Sequence, residues 1–428
     1  MKDLVYLDFN ATTPLADEVF ETIRHYFREA FGNPSSQHWA GIPACDAIEA
    51  ARFQVAALLC CDATEIVFTS GGTEANNHAI KGMYFANRTR KSSPHLIISQ
   101  MEHMAVHEPC RFLESLGADV TRLPVDGAGL VDPDNVRRAI RPNSVLISIM
   151  HVNNEVGTIQ PIEQIAVIAR EHGICFHTDA AQTVGKIPVD VDTLGIDLLS
   201  VAGHKLYGPK GVGALYIREG LELEPLMHGA AHEAGRRTGT ENVIKIVGFG
   251  AACVLSQKLL DDTKIIELRD DFWKKLQTRF GNWVVHNGHP ERRLPNSSMS
   301  VFEVRSARIC WLNSPGWPLR PVRPACGQFP NQSRPESDGS TRRNWTGGRP
   351  FQPRAIHHTS RNRRPRGCTS PDHHELTLSD NAKTERNFFN ADEMDDSVAR
   401  RGLHGTFHER SFRSRAYTRH AGNRQTTD

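Results

Sequence analysis

Short apolar runs alternating with helical patterns constrain this chain more than any other feature. The runs at 65–69 (EIVFT), 95–99 (HLIIS), 144–151 and 174–177 have the length and the Ile, Val, Leu and Phe content of buried strands. Between them, apolar residues recur three and four positions apart, notably at 17–30, 44–59 and 161–171, which predicts helices. The alternation predicts an α/β fold with a mostly parallel central sheet flanked by helices, in which ligands sit beyond the carboxyl ends of the strands. The polar residues that follow the runs are therefore the candidates, His103, then Asn153, Asn154 and Glu155, then Asp179 and Gln182, together with Gly72 and Thr73 after the first run. Taken singly, each reads as an ordinary loop residue; several converging on one edge read as a site.

Residues 200–213, SVAGHKLYGPKGVG, follow a further apolar run and set His204 and Lys205 in a glycine-bracketed turn. Alone, such a lysine is a solvated side chain. Asp179, at the end of a buried run, changes the reading. A lysine amine that bonds an aldehyde and a carboxylate that keeps a ring nitrogen protonated are the two groups that pyridoxal 5'-phosphate requires. The pair Gly71-Gly72 with Thr73, at the start of a helical pattern, reads in two ways: as an anion site for the phosphate, or as a strand-to-helix turn with Thr73 as its cap. Residues 228–240, HGAAHEAGRRTGT, likewise read as a mobile basic loop or as a phosphate-contacting loop that reaches a neighbouring subunit.

A net charge of +2 and 39% hydrophobic residues in 428 describe a soluble globular chain with no electrostatic reason to bind nucleic acid. The start, MKDLVYLDFNATTPL, has no basic region followed by an apolar stretch, and no run approaches the roughly 20 apolar residues of a membrane span; the expected location is cytoplasmic. Nine cysteines, none in a CxxC pair, are read as buried free thiols rather than metal ligands or disulfides; no metal site is expected.

The motifs YLDFNATTPL, FGNPSS, FTSGGTEANN, MEHMAV, HVNNEVGTIQP, HTDAAQTVGK, GHKLYGPKGVGALY and RRTGTEN, in order over residues 4–304, resemble the NifS-type cysteine desulfurases and the similar selenocysteine lyases, both fold-type I pyridoxal phosphate enzymes. The resemblance implies Lys205 as the lysine that bonds the cofactor, His103 stacked on its ring and serving in proton transfer, and Asp179 at the ring nitrogen. It places Gln182 and Asn154 near the ring hydroxyl, and Gly72, Thr73 and His204 at the phosphate, joined by Thr240 from the partner subunit of a homodimer. Ala202 stands where desulfurases commonly carry a phosphate-binding serine, which leans toward the lyase. The implied reaction takes sulfur from L-cysteine, or selenium from L-selenocysteine, leaves alanine, and passes the sulfur through a cysteine persulfide to an acceptor protein, for iron–sulfur cluster assembly or another sulfur transfer. The domain reading is an N-terminal segment at 1–15, a large cofactor-binding domain at 16–260, the start of a smaller C-terminal domain at 261–304, and an aberrant tail at 305–428.

That tail is a different kind of sequence. Residues 305–428 hold 21 arginines and one lysine, Lys383, whereas residues 1–304 hold 18 arginines and 11 lysines. Apolar periodicity disappears, so little core can form. The tail reads either as a disordered basic segment able to touch nucleic acid, on an otherwise non-catalytic protein, or as the right gene read in the wrong frame. Regrouping the possible codons of residues 350–358 permits RFSLGRYTT, similar to the family's substrate-carboxylate arginine strand. The same shift at 332–340 permits SPVL-x-AMG, and the opposite shift at 318–325 permits AASAGSAC, similar to the catalytic-cysteine loop. Frameshift is the favoured expectation. Cys326, in RPACGQFP, is accordingly not assigned as the nucleophile, and the polypeptide as written is expected to bind cofactor without desulfurase turnover.

Overall fold

A computed structural model describes residues 5–90 and 93–302; the tail at 305–428, with Cys326, lies outside the described residues. In chain order the elements are α1 (Asp17–Ile23), α2 (Ile42–Leu59), β1 (Ile66–Thr69), α3 (Gly72–Asn87), β2 (His95–Ser99), α4 (Met104–Glu114), β3 (Asp119–Leu123), α5 (Pro133–Ala139), β4 (Ser144–Ser148), α6 (Ile162–Glu171), β5 (Cys175–Asp179), β6 (Leu198–Ala202), β7 (Gly213–Ile217), α7 (Val243–Leu259), α8 (Lys264–Phe280), β8 (Val284–Asn287) and β9 (Met299–Phe302).

Seven strands form one sheet in the order β1-β7-β6-β5-β4-β2-β3. Only β7 runs against its neighbours, pairing antiparallel with both β1 and β6; β1 therefore points the same way as β6, β5, β4 and β2. Helical crossovers on both faces explain why β1, β2, β4, β5, β6 and β7 are buried along their whole length. Alternate residues split between the two faces. Phe68, Ile97, Ile147, Phe176, Leu199 and Tyr216 pack with residues of α2, α6 and α7. Val67, Leu96, Ile98, Leu146, Leu198 and Leu215 pack with α3 and α4. Each such large side chain, once buried, contributes roughly 1.5–3 kcal/mol.

The sequence patterns overrun several real ends. The helix expected over 17–30 stops at Ile23 and continues as a tighter turn to Phe27. The run at 144–151 pairs as strand only to Ser148. The adjacent cysteines do not sit within a helix: Cys60 ends α2 in the left-handed region at φ 55°, its N–H reaching back to Ala56 and Ala57, a C-terminal cap that usually selects glycine. Nor are all the thiols buried. Cys110, Cys175 and Cys253 are, whereas Cys60 and Cys61 are half-buried and Cys45 is exposed; none of these six forms a disulfide among the described residues. Among the described residues, no single helix is long and apolar enough to cross a membrane.

Candidate active site

Because β1, β2, β4, β5 and β6 run parallel, the segments that leave their carboxyl ends share one edge of the sheet, as ligand sites of such folds do. That edge collects Gly72 and Thr73 after β1, His103 after β2, Asn154 after β4, Asp179 and Gln182 at and after β5, and His204 and Lys205 after β6.

The lysine turn is tied to the N-terminal loop. Gly203–Lys205 form a single 3-10 turn, and Thr13 bonds the His204 carbonyl through both its N–H (2.9 Å) and its hydroxyl (3.0 Å). The Thr13 hydroxyl also accepts from the Tyr207 N–H at 2.8 Å, while His204 Nδ1 meets the Thr12 hydroxyl at 3.1 Å. Lys205 Nζ donates to the carbonyls of Asn10 and Ala11. Burial lowers its pKa, against the pull of Asp179 and Asp8, which favours the neutral amine that attacks an aldehyde.

Asp179 faces Lys205 from the neighbouring strand, its backbone paired with Ser200. It is 6% exposed, and its carboxylate accepts from Asn76 Nδ2 at 2.6 Å and from the Ala181 N–H at 3.0 Å. Asn76 belongs to α3 and is 1% exposed, with its Oδ1 unpartnered among the described residues. Two residues earlier on β5, His177 spans β4 to β6, Nδ1 to the Ser148 hydroxyl (2.8 Å) and Nε2 to the Ser200 hydroxyl (3.0 Å); burial pushes its pKa down to about 3, so it is a neutral clamp that sets the strand ends.

His103 is the N-cap of α4. Its Nδ1 accepts the Ala105 N–H at 3.1 Å, so the neutral ring carries its proton at Nε2, the nitrogen left for other partners. The residue before it, Glu102, is buried at 6% exposure; Oε1 accepts from the Ser99 hydroxyl (2.6 Å) and the Met150 N–H (2.9 Å). Burial, with the charge of Asp179 adding to it, pushes this carboxyl up to about 8. After β4 the two asparagines divide the work. Asn153 holds the loop by bonding Met101, Glu155 and Val156, while the Asn154 carbonyl accepts from Asn10 Nδ2 at 3.2 Å.

At the start of α3, Gly71 takes φ +146° and a Cβ there would meet nothing within 4 Å. The helix has no side-chain cap: Thr73 lies inside the first turn and does not take the capping role that the sequence left open. Open space over uncapped helix N–H groups suits an anion. The one carboxylate in that turn, Glu74, is paired with Arg237 at 2.9 Å, which also ties the 228–240 loop to the helix start. Thr240, at the end of that loop, is exposed and shares no hydrogen bond with the other candidates among the described residues.

Pyridoxal phosphate fits these residues. A space that a side chain at Gly71 would enter can receive the phosphate, the orphaned Asn76 amide beside a doubly held Asp179 forms a polar floor for the ring, and an amine of lowered pKa stands opposite. Asn76, Asn10 and Glu102 were not singled out from sequence. Asn76 had a signal: it is a polar residue on the helical face of Ala75, Ala79, Ile80 and Met83, all buried.

Residues 5–300 match the family described as aminotransferase class-V. Cysteine desulfurase IscS of Dictyoglomus turgidum is 52% identical over 299 residues, 69% of this chain and 75% of that protein. The mitochondrial cysteine desulfurase of Arabidopsis thaliana is 47% identical over 311 residues, 71% of this chain and 68% of that one. Among solved structures, SspA in complex with cysteine aligns with a TM-score of 0.64 at 42% identity, covering 70% of this chain and 83% of that one. A NifS-like protein aligns at 0.65 and 38%, covering 68% and 80%. The chain belongs to the class-V aminotransferase family, among its pyridoxal-phosphate-dependent cysteine desulfurases.

Proposed function

We propose that the edge built from Lys205, Asp179, Gln182, Asn154, His103, His204, Gly72 and Thr73 holds pyridoxal phosphate and serves the removal of sulfur from L-cysteine to leave L-alanine. The observation that carries this reading is the placement of Lys205 and Asp179 after adjacent parallel strands, with Asp179 anchored by Asn76. When bound, the cofactor supplies an aldehyde for the lysine and a ring that withdraws electrons from the substrate's α-carbon. The chain's own residues do the rest. Asp179, oriented by the Asn76 amide and the Ala181 N–H, would keep a proton on the ring nitrogen. The uncapped turn at Gly72 and Thr73, with His204 alongside, neutralises phosphate charge. His103, with Nδ1 taken by its cap bond, offers Nε2 for proton transfer, and the Lys205 amine serves as a proton acceptor.

The same reading extends to a homodimer in the cytoplasm that passes sulfur to an acceptor protein. Thr240 is exposed and separate from its own chain's candidates, as a residue delivered to a partner's phosphate site is expected to be. Phe27, Phe31, Trp39 and Phe53 are 61%, 72%, 81% and 65% exposed, apolar surface of the kind that subunits cover.

The sulfur-accepting cysteine is not Cys61, Cys110, Cys175 or Cys253. Burial raises the pKa of Cys61, Cys175 and Cys253 and brings Cys110 to about 12, the reverse of what a nucleophilic thiolate needs. We assign the nucleophile and the substrate-binding arginine to the gene segment after residue 304 read in its other frames. The test has two arms. Purified full chain mixed with pyridoxal phosphate is expected to show visible absorbance that Lys205→Ala abolishes, while releasing no sulfide from cysteine. Resequencing from the codon of Pro295 is expected to show compensating indels. Absent absorbance sinks the cofactor site, and sulfide release at rates typical of desulfurases sinks the frame assignment.

A further inference from the structure

Gln182 sits between two partners that dictate which way its amide points. Its Nε2 donates to the Asn10 carbonyl at 2.8 Å, and its Oε1 accepts from Lys186 Nζ at 3.0 Å. Turned over, the amide would set oxygen against a carbonyl and NH₂ against an ammonium, two repulsions on a side chain that is 4% exposed. The Asn10 carbonyl only accepts at any pH, and a lysine amine keeps hydrogens to donate even when neutral.

The fold builds this contact deliberately at one turn. Thr183 and Val184 bond back to the Ala180 carbonyl, and Lys186 and Ile187 to that of Thr183, which sets Lys186 one helical turn beyond Gln182. Gly185 takes φ +77°, and a Cβ there would lie 2.8 Å from the Ser256 Cβ of α7; only glycine lets the turn press this close to α7 and fold Lys186 back. The amine is costly where it lies: burial, with the charge of Lys205 adding to it, brings its pKa down to about 7. A methionine would fill the same space without that cost. Its bond to Gln182 is also the first link of a chain, because the Asn10 carbonyl that receives Gln182 Nε2 receives Lys205 Nζ as well.

We propose that Lys186 is a positioning residue that locks the Gln182 amide, so that Gln182 presents N–H rather than C=O to the oxygen of the cofactor ring. The inference rests on reading this edge as the pyridoxal phosphate site. A locked donor stabilises a negative ring oxygen; a free amide can turn its own oxygen toward it.

The test is a double-variant cycle on the full chain with pyridoxal phosphate, comparing wild type, Lys186→Met, Gln182→Ala and the pair. The readouts are the cofactor dissociation constant and the pH midpoint of its visible band. Lys186→Met is expected to weaken binding about five- to tenfold and to move the midpoint by about half to one unit in the same direction as Gln182→Ala. The pair is expected to go no further than Gln182→Ala alone, since Lys186 then has nothing to orient. Additive effects in the pair, or no effect of Lys186→Met, overturn the proposal while leaving the cofactor site standing. A wild type that takes up no cofactor overturns both. If the methionine variant does not fold, Lys186→Gln passes through the same cycle and is judged by the same outcomes.

Discussion

The seven-stranded sheet and the segment that follows α7 both carry large apolar side chains and reach different ends. In β1, β2, β4, β5, β6 and β7 every residue is buried. Helix α8, with 17 residues, buries none, and of the paired β8 only Val284 is buried. Yet α8 carries an apolar stripe through Ile265, Leu268 and Leu276, all half-buried, while Ile266, Phe272 and Phe280 are 37%, 36% and 39% exposed. The stripe is enough to form a helix; it is not enough to bury one. Burial needs partner elements, and those of the sheet come from the chain around it, whereas among the described residues α8 meets the short hairpin beside it, with Trp273 stacked on His286 at 4.4 Å and Arg269 bonded to the Leu294 carbonyl.

Substitutions sharpen this contrast. The largest loss is expected from Glu233→Ala. Glu233 receives both arms of Arg52 at 2.8 and 2.9 Å and the Phe68 N–H at 2.8 Å, and removing it strands a buried guanidinium, a cost of about 3–5 kcal/mol in urea denaturation. Phe249→Ala, at 0% exposure against Phe68, is expected to cost about 3–4 kcal/mol by the same measurement.

Glu102 gives a pH-dependent effect of a few kcal/mol. Its folded pKa of about 8 stands above its ordinary value of 4.5, so the folded state binds the proton more tightly and stability falls as pH rises from about 4.5 to 8. Glu102→Gln, which keeps the shape without the charge, should flatten that slope and leave the variant the more stable form at pH 8; an unchanged slope in denaturation series across this range excludes Glu102 as its source.

Trp273→Ala should cost the least, about 1 kcal/mol. A loss matching that of Phe249→Ala breaks the comparison, because α8 would then be covered as fully as the sheet.

Much of the architecture was legible because strand runs and helical stripes are local patterns: the run at 95–99 coincides with β2, and that at 65–69 overruns β1 by one residue. Ends were less legible. Nothing local told that regular pairing of the 144–151 run would end at Ser148, opposite His177, although β5 itself runs on to Asp179. The polar residues after each strand could be listed from sequence, and the parallel order brought them to one edge. Their helpers could not. Asn76 reaches Asp179 across 103 positions, Asn10 meets Lys205 across 195, and Glu102 meets Met150 across 48.

By itself, the sequence determined the fold class, the ordered motifs and the break after residue 304, because residue spacing and composition act within a few neighbours of one another. Tertiary structure alone decided which thiols are inert, which carboxyl rises toward neutral pH and which way Gln182 faces. Those properties follow from desolvation and from hydrogen-bond partners far away in the chain, and neither exists until the sheet has brought them together.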